Sequence, residues 1–188
     1  MEGFKTLEFF YGTVSSAKTM TMLARAHAWR STGKSVCIVK PCADTRSSGV
    51  VSRVGISSDA DIVLSETDSL SEYVDKLSVS DLVLVDEVQF LSGSQVSELR
   101  LLTLGILPNV VRAVPVQCFG LRTLSDGSLW DSVKVLMAQA DTIEAIPTVC
   151  SFCSCKAVFS KSLKETDSVG INPSWDGFVP VCPYHFFV

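Results

Sequence analysis

Lys18 and Thr19 stand after the turn Gly12-Thr13-Val14-Ser15-Ser16-Ala17, which closes the apolar run from Leu7 to Tyr11. The spacing is that of a phosphate-binding loop, G-x-x-x-x-G-K-[ST], with Ala17 in place of the second glycine. Such a loop aims successive backbone N–H groups inward and sets them at the positive end of the next helix. Lys18 supplies a point charge for the β- and γ-phosphates, and the Thr19 hydroxyl is a magnesium ligand. A left-handed backbone at Ala17 would carry strain, whereas negative φ would tolerate its methyl.

A second cluster follows the apolar run Leu82-Val83-Leu84-Val85, which leads directly into Asp86-Glu87. Carboxylates at the carboxyl end of a central strand lie where open α/β sheets bind ligands. Asp86 is placed to hold magnesium through water, which leaves Glu87 free for other work. The third cluster is Cys150-x-x-Cys153 with Cys182-x-x-His185. Two short-spaced pairs at the ends of a loop build a closed tetrahedral site, and thiolates with one imidazole favour zinc. Four protein ligands make that site structural. It ties both ends of the 154–181 segment as a tethered lid, with Cys155 as an alternative to Cys153.

The elements that must position these groups alternate. Helices are expected over 18–31, 69–77, 92–102 and 128–140, with Ser92 or Ser94 capping the third. Strands are expected over 7–11, 35–40, 62–64, 82–85, 114–119 and 142–146. Residues 44–55 show little periodicity and read as a loop. The alternation predicts an α/β fold, a mostly parallel sheet with helices on both faces. A compositional change at Pro147 predicts two domains, residues 1–146 and 147–188. His27 is assigned only to a helix face.

The 188 residues are 47% hydrophobic and 19% charged, enough for a proper core. A net charge of −4 offers no basic surplus for a nucleic-acid backbone. No stretch is long and apolar enough to span a membrane, and the N-terminus lacks the apolar core of a signal peptide. A cytoplasmic, reducing setting is expected, in which the seven cysteines serve as thiols and metal ligands.

In order, these motifs resemble the thymidine kinases of the zinc-containing, cytosolic type II class. The resemblance runs from Leu7 to His185 and adds Asp44-Thr45-Arg46, Ser52-Arg53-Val54-Gly55, Asp86-Glu87-Val88-Gln89-Phe90 and Gly120-Leu121-Arg122-Thr123. It implies a RecA-like P-loop domain plus a small zinc-binding lasso domain that closes over the nucleoside. It further implies transfer of the ATP γ-phosphoryl group to the 5′-hydroxyl of thymidine, with magnesium, in a homotetramer inhibited by dTTP.

By position, Glu87 matches the family's catalytic base. Asp44 and Arg46 join the loop Gly12 to Thr19 around the phosphates, and Arg53 falls near the acceptor hydroxyl. Gln89 supports the site, Phe90 matches an aromatic wall, and Val14 and Leu121 line the pocket for the thymine methyl. Ser125 stands where an aromatic stacks on the base, while Trp130 retains a second aromatic. Phe178 replaces a tyrosine, and Pro173-Ser174 replace a glycine pair of the lasso. With the catalytic residues kept and the pocket altered, three activities fit: a thymidine kinase, a non-catalytic or regulatory member that binds nucleotide, or a nucleotide hydrolase in which Glu87 activates water.

Overall fold

The computed structural model describes residues 4–44, 49–52, 55–163 and 177–188. Among them the strands are β1 (Leu7–Tyr11), β2 (Val36–Pro41), β3 (Val50–Val51), β4 (Ser57–Ser58), β5 (Ile62–Leu64), β6 (Leu82–Val85), β7 (Val116–Gly120), β8 (Thr142–Ala145), β9 (Phe159–Ser162) and β10 (Phe178–Val181). The helices are α1 (Lys18–Ser31), α2 (Val74–Leu77), α3 (Gly93–Leu104), α4 (Asp131–Gln139) and α5 (Pro183–Phe187).

Six strands make the central sheet in the order β5-β2-β6-β7-β1-β8. Every pairing in it is parallel, as the continuous apolar runs require when both faces are covered. On one face Met22, Leu23 and Ala26 of α1 meet Phe10, Ile38, Leu84 and Phe119. On the other, Val96, Leu99 and Leu102 of α3 and Val133 and Leu136 of α4 meet Leu7, Phe9, Val83 and Val85. Because β1 lies between β7 and β8, the chain leaving it passes over β7 and β6 to reach β2. The loops after β1, β6 and β7 therefore share the carboxyl edge of the sheet.

Local chemistry explains where boundaries moved. The strand expected over 114–119 begins at Val116, because Pro115 has no N–H for the ladder; its carbonyl still accepts from Val83 N–H at 3.0 Å. The third helix starts after Ser92, whose hydroxyl and Gln95 complete a capping box, and stops at Gly105 (φ 71°). The 69–77 helix opens as a 3-10 turn over Leu70–Tyr73 before α2, with Ser69 and Glu72 as its capping box. The fourth helix begins only at Asp131, because 124–128 close a tight turn in which Leu124 N–H reaches Ser128 O at 2.8 Å.

Two pairings were absent from the sequence reading. β3, inside the 44–55 loop stretch, forms a short antiparallel ladder with β4, which lies just after it. β9 and β10 form an antiparallel pair that carries α5 and the Cys/His quartet. Among the described residues no helix is long and apolar enough to cross a membrane.

Candidate active site

The phosphate loop leaves β1 at Gly12, whose N–H donates to Gly120 O at 3.2 Å and so fixes the loop against the end of β7. A Cβ at Gly12 would stand 2.1 Å from Ser16 Oγ, so the turn admits no side chain there. Ser15 and Ala17 both adopt left-handed backbone, with φ 60° and 61°. Ala17 is also the N-cap of α1 and gives it no side-chain cap. The position is therefore one that glycine suits, and the methyl costs about 1–2 kcal/mol of backbone strain. Ala17→Gly is expected to raise the melting temperature by roughly 2–4 °C, net of glycine's larger entropy loss. A thermal melt showing no rise would contradict the strain.

Lys18 is buried and its Nζ donates to Thr13 O at 2.7 Å, so the ammonium stays curled into its own loop. The Thr19 hydroxyl donates to Asp86 Oδ2 at 3.1 Å, with Oδ1 at 3.4 Å. This brings the two sequence clusters together from β1 and β6. The Ser16 hydroxyl is buried in the same loop without a hydrogen-bond partner. An unsatisfied buried oxygen beside an ammonium and a hydroxyl–carboxylate pair suits a magnesium-bound phosphate chain.

Glu87 follows at once, 5% exposed and with φ 47°. Of the four non-glycine residues with left-handed backbone among those described, three (Ser15, Ala17 and Glu87) belong to this edge. Backbone strain collected at one place marks a site whose geometry is over-determined by its surroundings. For Glu87 the surroundings are visible. Gln89 Nε2 donates to Glu87 Oε2 at 2.6 Å, Gln89 Oε1 accepts from Leu121 N–H at 3.0 Å, and the Ser132 hydroxyl holds Gln89 O at 3.0 Å. One amide thus locks the carboxylate to the loop after β7. Gly120 is required for this, because a Cβ there would lie 2.6 Å from Gln89 Oε1.

Phe90 and Trp130 meet edge to face at 5.5 Å beside these groups. Leu121 joins Tyr11, Arg122, Ile146, Lys156 and Ser160 around a cavity of about 180 Å³ beneath the β9 strand. Ser125 sits in the 124–128 turn, whose Gly127 faces the ring of Phe186. Phe178 opens β10, opposite Ser162. Asp44 is buried at the end of β2, in an ion pair with Lys40 at 3.3 Å. Arg46, Arg53 and the Pro173-Ser174 pair lie outside the described residues.

The Cys/His set converges. Cys150, Cys153, Cys182 and His185 present ligand atoms that all lie within 4.8 Å of one another. His185 Nδ1 is 3.5, 3.7 and 3.3 Å from the three sulfurs, and Cys153 Sγ is 3.7 Å from Cys182 Sγ. Ligands of a tetrahedral zinc, at about 2.3 Å for sulfur and 2.0–2.1 Å for nitrogen, stand about 3.5–3.8 Å apart, close to these four spacings, so the donor set suits zinc. Burial opposes ionisation of Cys150, but N–H donors from Phe152, Cys182 and Cys153 and the Cys153 thiol outweigh it and bring the thiol down to about 6. Cys155 is not a member of the quartet; its carbonyl accepts from Cys150 N–H at 2.9 Å while the residue stays exposed. Cys37 is a core thiol, pushed up to about 12 mainly by burial.

Two residues joined the site unannounced. Ser160 of β9 accepts a hydrogen bond from Val14 N–H at 3.0 Å, which fastens the Cys/His unit to the phosphate loop. Nothing in its sequence neighbourhood marks it. Lys40 did leave a signal: a lone charge at the end of the apolar run Val36-Cys37-Ile38-Val39.

The thymidine kinase family profile matches residues 5–186, nearly the whole chain. The chain belongs to the thymidine kinase family. It is 34% identical over 190 residues to a thymidine kinase of Streptococcus agalactiae, with 96% of each chain covered. Thymidine kinases of Lactococcus lactis (33% over 192 residues, 96% of each chain) and Haemophilus influenzae (34% over 194 residues, 96% of this chain and 95% of that one) are similar to it throughout. Membership in the thymidine kinase family makes the chain a kinase.

Proposed function

We propose that the protein transfers the γ-phosphoryl group of ATP to the 5′-hydroxyl of thymidine, giving dTMP. The observation that carries this reading is the Thr19–Asp86 hydrogen bond beside a Gln89-locked Glu87. It supports the reading because a hydroxyl–carboxylate pair and a second, positioned carboxylate stand together at one edge of the sheet. Phosphoryl transfer asks little covalent work of the protein and much positioning and charge neutralisation.

In this reading Gly12 to Thr19 wrap the phosphates, and Lys18 swings from Thr13 O to the β/γ oxygens. Thr19 and Asp86 would hold magnesium, which would supply positive charge at the phosphoryl oxygens. Glu87 accepts the 5′-hydroxyl proton, held in place by Gln89. Asp44 and Arg46 serve the phosphate end and Arg53 the acceptor hydroxyl, as the resemblance implies. The base lies by Val14, Leu121 and Phe90, with Ser125, Trp130 and Phe178 at the rim. Zinc at Cys150, Cys153, Cys182 and His185 is structural. It organises residues 147–188 as a unit separate from the ATP-binding 1–146.

A homotetramer, feedback inhibition by dTTP and a cytoplasmic location complete the proposal. The test is ATP turnover over a panel of nucleosides. ADP release that requires magnesium and is greatest with thymidine is expected. Phosphate release without any nucleoside would select a hydrolase instead, and stabilisation by dTTP without turnover would select a regulatory member.

A further inference from the structure

Lys40 is the one charged residue of β2 (Val36–Pro41) and is only 1% exposed. An ammonium taken out of water is unfavourable unless it is paired and hydrogen-bonded. Here Nζ lies 3.3 Å from Asp44 Oδ2 and donates to Gly49 O at 3.1 Å. One lysine therefore grips the chain at two points, both beyond the end of its own strand.

The sheet register says what lies beside this pair. Val39 is aligned with Val85, and Asp86 N–H donates to Val39 O at 3.0 Å. The next residues, Lys40 and Asp86, are neighbours on adjacent strands. By alternation they emerge on the face of Ile38 and Leu84, which α1 covers and from which Thr19 reaches Asp86. An apolar residue in place of Lys40 would continue the run at no desolvation cost, and it would remove the ammonium that stands 3.3 Å from Asp44 Oδ2.

We propose that Lys40 is a positioning residue of the phosphate site: it holds the Asp44 carboxylate beside Asp86, so that both acidic groups face the magnesium end of a bound nucleotide. The inference rests on the reading above that Thr19 and Asp86 receive magnesium–ATP. Lys40 touches no substrate and acts through Asp44. Its effect is therefore specific to the metal-dependent part of nucleotide binding.

The experiment titrates a fluorescent ATP analogue into the wild-type chain, Lys40→Met, Asp44→Asn and the double variant, each with magnesium and with EDTA. Magnesium tightens binding to the wild type. That tightening is expected to fall about tenfold in each single variant and no further in the double, because the two residues act as one unit. Affinity in EDTA stays as in the wild type. Losses that multiply in the double variant, equal losses in EDTA, or no magnesium effect in the wild type would overturn the assignment. Should Lys40→Met fail to fold, the double variant, which removes both charges together, is compared with Asp44→Asn: equal binding supports the proposal, and a further loss overturns it. Thymidine turnover is measured on the same wild-type preparation. Absent turnover with the binding pattern intact would remove the proposed reaction and leave Lys40 where it is assigned.

Discussion

Glu87→Gln is expected to lower thymidine-dependent turnover by about 10²–10⁴-fold, the range of a positioned general base, while magnesium–ATP still binds. The substitution keeps size and an oxygen acceptor while removing the negative charge and the capacity to take a proton. It also leaves the partners of Glu87 in place, since Gln89 Nε2 can donate to an amide oxygen as it does to Oε2 at 2.6 Å. The variant therefore separates proton acceptance from scaffold. Steady-state kinetics with thymidine, together with nucleotide titration, make the measurement. Turnover within a few-fold of wild type would move the base to another group. A matching loss of ATP affinity would show that the carboxylate serves the metal instead.

Cys182→Ser is expected to empty the Cys/His site and abolish most activity. Structural zinc contributes about 10–16 kcal/mol to the folding of small zinc peptides, so losing one thiolate of the quartet removes the unit's main stabilisation. Cys182 is also the N-cap of α5 and follows directly on β10 (Phe178–Val181), and its sulfur lies 3.3 Å from His185 Nδ1. The damage reaches the phosphate loop through β9 (Phe159–Ser162), because Ser160 holds Val14 N–H. Elemental analysis should find about one zinc per wild-type chain and almost none in Cys182→Ser. Cys155→Ser, whose residue is exposed outside the quartet, keeps both metal and turnover. Full zinc content in Cys182→Ser would refute the assigned ligand set.

The sequence by itself determined the parts whose chemistry is local. A phosphate loop is made of consecutive backbone N–H groups, so Gly12 to Thr19 could be read directly. Asp86 and Glu87 are adjacent in the chain, and their place at a strand end follows from the apolar run before them. Two ligand pairs of fixed spacing announced the Cys/His site, and the 150–153 and 182–185 spacings found each other without help. The strands β2 and β6 were legible because a strand buried on both faces is apolar over most of its length.

What only the tertiary structure decided was every contact whose partner is distant in sequence and whose residue types are ordinary. Gln89 joins Glu87 to Leu121, 32 residues later, through one amide. Ser160 reaches Val14 across 146 residues, and no property of a serine foretells that. The β3–β4 and β9–β10 pairings escaped because short strands half exposed to solvent need no apolar run. Whether Ala17 is strained depended on its φ, which the surrounding turn imposes and the residue type does not reveal. Sequence names the groups that carry charge; long-range hydrogen bonds and register fix the directions in which they point.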